Sequence, residues 1–224
     1  MISVLLILIP LLTGLAAFFF KNEKDVRYWT LNVSLITLGV SIMGLSLKDG
    51  AAALAFRGEW MQTLGSSFSV KLDGMGQLLC LLNAIAYPLV ILATWNSSYK
   101  KPNKFFAFML LAQAGMMGVF LATDALLFYF FWELALIPMY FLCSQWSGEK
   151  RIAVTFKFFI YTFVGSLLML IGILYVYSHT PDHSFDITSF YKATLSGKEQ
   201  SFLFWLFFIA FAIKMPIFPF HTWQ

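Results

Sequence analysis

The sequence predicts an all-α polytopic membrane protein, and three observations carry that reading. The 224-residue chain is 60% hydrophobic and only 12% charged, with a mean hydropathy of +0.78, whereas an average soluble chain carries about a quarter charged residues. Its charges are clustered, and between the clusters lie apolar runs of about 20 residues, the length that crosses a bilayer core. Segments of about ten residues with alternating polarity, the mark of a membrane barrel, are missing. In hydrocarbon each backbone polar group needs a partner within its own segment, so the runs are expected as helices.

Seven spans are expected, near residues 2–20, 28–47, 74–97, 105–123, 125–146, 153–177 and 201–223. The first follows Met1-Ile2-Ser3 with no basic residues ahead of it and is longer than the apolar part of a secretory leader, so it is expected to remain as a span. Between the second and third lies a polar stretch, 48–73. There "SFSVKLDG" alternates Phe68, Val70 and Leu72 with polar residues before the turn at Asp73-Gly74, the pattern of a short strand. The chain divides at residue 104 into helices 1–3 with this loop (1–104) and helices 4–7 (105–224).

Charge placement gives the orientation. Loop 21–27 (KNEKDVR) and loop 98–104 (SYKKPNK) each hold three basic residues, and loop 147–152 holds Lys150 and Arg151. The alternate connections are poorer: three in the 26 residues of 48–73, none at the tight turn around Asp124, and two in the 23 of 178–200. Short basic loops stay in the cytoplasm, which puts the N-terminus outside. The net charge of +4 is therefore a topology signal, and no nucleic-acid partner is expected. Trp29, Trp95, Trp146, Trp205 and Trp223 fall at expected helix ends, where amphipathic rings favour the interface. Trp132 falls mid-span.

Cys80 and Cys143 lie 63 residues apart inside expected helices, without a CxxC pair, and read as small buried hydrophobes. No metal site or cofactor is expected in this chain. His179 and His183 have an i, i+4 spacing but flank Pro181 in a loop, which argues against a helix-mounted metal pair. Neither a Gly-rich phosphate loop nor a nucleophile–base set is present.

Three formally charged residues remain inside spans: Glu133, Lys157 and Lys214. Each costs about 2.5–3.5 kcal/mol near a helix centre, and such residues usually face the bundle interior and pair. Glu133 lies eight residues into its span, about 12 Å deep, and Lys214 thirteen residues beyond Ser201, about 20 Å deep. Spans five and seven run the same way, so both sit in the middle third. The alternatives are an ion pair that joins helices and a functional pair; buried pairs stabilise weakly. Lys157 lies close to the cytoplasmic end of its span and reads either as a snorkelling anchor or as a pathway residue. In "FAIKMPIFPFHTW", Pro216 and Pro219 follow Lys214, and proline removes a donor and clashes with the carbonyl four residues back. A break is therefore expected near Ile213–Lys214, of the kind that marks transporter ion sites. His221 reads as a proton relay or as an interfacial polar residue. Asn83 and Gln113 are neutral polar residues in spans three and four, suited to hold water.

Three segments carry a family resemblance: "FYFFWELALIPMYFL" (128–142), "KFFIYTFVGSLLMLI" (157–171) and "FIAFAIKMPIFPFHTW" (208–223), supported by "KLDGMGQLL" (71–79). They resemble the antiporter-like membrane subunits of respiratory complex I, most closely the M-type members. The resemblance implies a bundle in which inverted repeats each form a half-channel, with 105–224 holding most of the first. It makes Glu133 the fifth-helix glutamate, Lys214 the lysine of a broken seventh helix and Lys157 a sixth-helix lysine. It implies proton translocation in a bacterial inner membrane, coupled to NADH–quinone electron transfer. FMN, iron–sulfur clusters and quinone would be held by other subunits. The partners would be the other complex I membrane subunits, the bilayer, protons and water. The family continues past the position that Gln224 matches, so the chain is expected to be an N-terminal portion. Subunits of cation/proton antiporters and membrane-bound hydrogenases share the same pattern, and a purely structural membrane subunit is the remaining alternative.

Overall fold

The computed structural model describes residues 1–47 and 51–223. Seven long helices form the bundle: α1 (Ile2–Ala17), α2 (Glu23–Leu45), α3 (Gly74–Ala93), α4 (Pro102–Leu121), α5 (Ala125–Trp146), α6 (Arg151–Ser178) and α8 (Gly197–Lys214). A single-turn helix, α7 (Ile187–Phe190), lies in the connection between α6 and α8. Five of the long helices, α2 to α6, are long and apolar enough to cross a membrane, and α1 is an apolar helix of 16 residues.

The order of the spans is as expected, with three differences of extent. α2 starts at Glu23, so five of the seven residues of the basic 21–27 stretch are helical, with Glu23 and Asp25 in its first turn. Acidic groups there face the positive end of the helix dipole. The 48–73 stretch holds a hairpin rather than one strand: β1 (Ala55–Met61) pairs antiparallel with β2 (Ser66–Lys71), with a register shift between Glu59 and Met61. Gly65 closes the turn at φ 74°, and a side chain there would meet the His183 carbonyl. Residues 48–50 of that stretch lie outside the described residues. The seventh span was expected to run over 201–223, but its helix stops at Lys214 and a short 3-10 turn follows at Phe220–Trp223.

The helix α4 is the hub. It packs on α1, α2, α3 and α5, and eleven of its residues are buried. Small residues make its closest approach possible: a Cβ on Gly115 would lie 2.8 Å from the Cα of Ala135, and one on Gly118 would lie 2.2 Å from the Phe131 ring. Without a hydrophobic drive between helices in lipid, such small-residue seams let backbones gain dispersion contact. Those two glycines grip α5 on either side of Glu133. On the far side, α6 packs along α8, with Gly165 against Ile213 and Gly172 against Phe207.

Asp124 ties together the end of the bundle that carries the hairpin. It is 1% exposed, and its carboxylate accepts from the Ser66 hydroxyl at 2.9 Å and the Ser67 N–H at 3.0 Å. It also accepts from the N–H groups of Leu126 and Leu127, both at 3.0 Å, which caps α5. Backbone bridges join Val70 to Ala122 and Asp124 to Asp186, and Arg57 on β1 pairs with Asp186 at 3.0 Å. The hairpin and the 179–190 connection are thus fastened to the start of the helix that carries Glu133.

Candidate functional site

The expected helix break is present, and its hydrogen bonds are accounted for. Pro216 has no N–H for the Ala212 carbonyl, and the Ile217 N–H takes that carbonyl instead at 2.9 Å. The Ile213 carbonyl, which Ile217 would otherwise serve, accepts from the Trp223 indole N–H at 2.9 Å. The last helical residue is Lys214 itself. Its cationic side chain therefore leaves from the negative end of the α8 dipole, where a positive charge is favoured.

From that end the ammonium nitrogen lies over the Trp132 ring, 4.9 Å from its centroid. The indole is held edge-on against Phe211 at 5.7 Å and tilted against Phe128 at 5.7 Å. A cation over an aromatic face gains about 0.5–2 kcal/mol, the more so away from water. Glu133 is the next residue along α5. Among the described residues it forms no direct ion pair with Lys214. One carboxylate oxygen of Glu133 is buried with no hydrogen-bond partner. An orphaned buried acceptor costs about 1–3 kcal/mol, more when charged.

The other expected residues fall elsewhere. Lys157 is exposed and donates to the Thr222 carbonyl, with Tyr161 5.8 Å beneath its nitrogen; the Thr222 hydroxyl in turn meets the Tyr161 hydroxyl at 3.2 Å. It is thus fastened to the chain that follows the break, not to Glu133. His221 is exposed and stacks on Phe218 at 5.6 Å. Asn83 is nearly buried, and its amide lies 3.5 Å from the Gln113 carbonyl. The Gln113 side chain is fully buried with neither polar atom paired among the described residues. His179 caps the end of α6 and lies 3.8 Å from Glu199, while His183 adopts a positive φ of 43°.

Sequence reasoning missed Trp132 as a partner of Lys214, although its mid-span position set it apart from the interfacial tryptophans. It also treated Asp124 only as a turn residue. An Asp directly before an apolar run is a helix-start signal, and that signal was available.

A half-buried acid on one membrane helix and a lysine at the broken end of another place the protein in a class: a polytopic helical membrane protein with opposite ionisable groups inside its bundle. The family model described as NADH:quinone oxidoreductase/Mrp antiporter, TM, matches residues 122–224. The chain is 37% identical to F(420)H(2) dehydrogenase subunit M of Methanosarcina mazei over 99% of its own length and 47% of that protein's. It is 35% identical to NADH-quinone oxidoreductase subunit M of Rhodobacter capsulatus, over 90% of this chain and 41% of that one. Among solved structures, a chain of respiratory complex I from Thermus thermophilus with bound NADH superposes with a TM-score of 0.89 at 27% identity, covering all of this chain and 46% of that one. The chain belongs to the antiporter-like membrane subunits, and it spans about half the length of the curated relatives it matches.

Proposed function

We propose that the protein moves protons across a bacterial inner membrane as a subunit of a complex-I-type NADH:quinone oxidoreductase, with Glu133 and Lys214 as the working pair. The observation that carries this reading is the unpaired, buried carboxylate oxygen of Glu133 beside a lysine whose charge is shared with Trp132. A pair whose only task was to join helices would close into a direct, fully hydrogen-bonded bridge, since a loose buried pair gives little stability. A pair held short of contact has room to change partners. Negative charge on Glu133 stabilises the Lys214 ammonium; drawing that charge into another pairing, or protonating it, would release the lysine's proton to water. Lys157 and His221 are secondary candidates on the cytoplasmic side, with the N-terminus outside by the charge distribution of the loops. FMN, iron–sulfur clusters and the quinone site belong, in this reading, to neighbouring subunits. The chain contributes charge movement to the enzyme, not redox chemistry.

Glu133→Gln tests the proposal. The amide keeps the shape and loses the charge, so the assembled complex should form in near-normal amount while proton uptake into inverted vesicles falls to a small fraction of wild type. Normal pumping by an assembled variant overturns the role of Glu133. The similarity to an F(420)H(2) dehydrogenase subunit supports a second reading, in which the same proton machinery is driven by a different hydride donor. The electron-input subunit that co-purifies, offered NADH and F(420)H(2) in turn, decides between them.

A further inference from the structure

Gln113 is the polar group that the bundle leaves unexplained. It lies mid-length on α4, wholly buried, and neither its amide oxygen nor its amide nitrogen has a partner among the described residues. The burial comes from the chain's own helices, since α4 packs on α1, α2, α3 and α5, so nothing outside the bundle is needed to enclose it. Asn83 on α3 is its polar neighbour: only 7% exposed, it reaches the Gln113 backbone carbonyl at a long 3.5 Å. The surroundings are otherwise apolar. Cys80 and Ala84 lie on either side of Asn83 along α3, Met117 follows Gln113 by one turn, and all three are fully buried in one cluster. Sulfur and methyl groups serve an amide poorly.

A glutamine amide has two N–H donors and an acceptor oxygen. A buried polar group without a protein partner is served in native folds by ordered water, which makes about three hydrogen bonds. The place of this amide gives such a water a use. Gly115 meets Ala135 and Gly118 meets Phe131, so α4 and α5 run antiparallel with Gln113 level with Ile137. That is one turn from Glu133 toward the 147–152 end of α5. Asn83 lines a cavity of about 560 Å³ that Lys214 also lines, together with the apolar Met116, Ala135 and Met139. We propose that Gln113 and Asn83 together hold an internal water, and that this water is the foothold from which the cavity wets and protons reach Lys214. The inference rests on the proton-transfer reading above and adds two positioning residues to it. Neither amide titrates, so no charge rests at the site. When Lys214 is neutral, the nearest water gives it a proton while receiving one from the water behind, and each water leaves the step as it entered. An apolar passage holds such a file of waters only transiently, so one fixed water at its edge sets how often the file forms.

The test uses the whole complex. A map that resolves solvent should show one water within hydrogen-bond distance of both the Gln113 side-chain amide and Asn83, and Gln113→Met should lose it. A Gln113 amide bonded directly to protein, with no water, overturns the site; the map decides this even where a variant fails to assemble. Function is read as proton uptake into inverted vesicles per donor oxidised, with the complex quantified on a native gel and its thermal midpoint recorded. A stranded amide with no role predicts that Gln113→Met, which fills the same space without polar atoms, raises the midpoint and leaves pumping normal. A water foothold predicts an equal or higher midpoint and a several-fold loss of pumping. Asn83→Leu should give a similar loss, and the double variant should be no worse than the poorer single one, because both remove one water. Additive losses overturn the shared water, and normal pumping by either single variant overturns its role. Glu133→Gln, run alongside, separates this failure from that of the charged pair: an inactive Glu133→Gln with a normal Gln113→Met rejects the foothold alone.

Discussion

The Lys214 ammonium rests 4.9 Å above the centre of the Trp132 ring, one residue before the acid that would otherwise be its counter-ion. A π face can hold a cation without accepting its proton, so the lysine is steadied in place while remaining free to exchange protons. This separates three substitutions. Lys214→Arg keeps a charge over the ring, but a guanidinium does not release its proton in a protein. It should assemble and stop pumping. Lys214→Met leaves Glu133 without its neighbour and should do no better. Trp132→Leu should retain assembly and lower pumping only partly, since about 0.5–2 kcal/mol of placement is lost and the proton is not. Proton uptake per donor oxidised, with the complex quantified on a native gel, reads all three. Near-normal pumping by Lys214→Arg would favour a purely structural pair.

The cap at Asp124 should show in stability rather than in chemistry. Asp124→Ala removes the cap of α5, a loss of about 0.5–2 kcal/mol, and strands the buried Ser66 hydroxyl and Ser67 N–H, costing about 1–3 kcal/mol more. Asp124→Asn keeps an acceptor for the cap and should recover a large part of this. A thiol-reactive dye that reports the exposure of buried Cys80 on heating measures both midpoints. Equal midpoints for the alanine variant and wild type would remove Asp124 from its fastening role.

Orientation has a direct probe. Asn103 is engaged, donating to the Phe18 carbonyl at 2.9 Å, but Lys104 beside it is exposed. With Cys80 and Cys143 replaced by alanine, Lys104→Cys should resist impermeant maleimide in intact cells and react in inverted vesicles. The reverse pattern would invert the whole topology.

The N-terminal end of α8 predicts an acid-sensitive clasp. The Glu199 carboxylate accepts from the Ser196 hydroxyl at 2.6 Å, the Ser196 N–H at 2.7 Å and the Tyr175 hydroxyl at 2.8 Å. These bonds, those from Ser196 foremost, hold its carboxyl down at about 2 from an ordinary 4.5. A folded value below the unfolded one means stability that is fully present above 4.5 and lost as the pH falls toward 2. Ser196→Ala should therefore shrink the loss of melting midpoint between about pH 6 and pH 3. An unchanged loss would place the acid sensitivity elsewhere.

Span number, order and the break at Lys214 were legible because each rests on local physics: runs of bilayer length, clustered loop charge, and a proline whose effect falls four residues back. The hairpin was half legible. β2 alternates cleanly, whereas β1, "AFRGEWM", mixes Arg57 and Glu59 with a central glycine and takes its identity from its partner strand. The extent of the seventh helix was misread because "MPIFPFHTW" stays apolar past the break, and hydropathy does not register a lost N–H. Glu133 and Lys214 stood out by the cost of burying charge. The fold of the indole of Trp132 beneath the lysine did not, because a tryptophan in an aromatic run carries no sign of which ring will meet a cation on another helix.

The Trp223 indole that serves the Ile213 carbonyl has a mechanical meaning. It pins the returning chain to the end of α8, while Lys157 grips the same returning chain at Thr222 from α6. The two lysines are therefore passengers on one stiff frame rather than independent swinging arms. Any rearrangement that shifts the charge near Glu133 must either carry that frame as a unit or first unlatch the aromatic clasp that Trp223 makes at the end of α8.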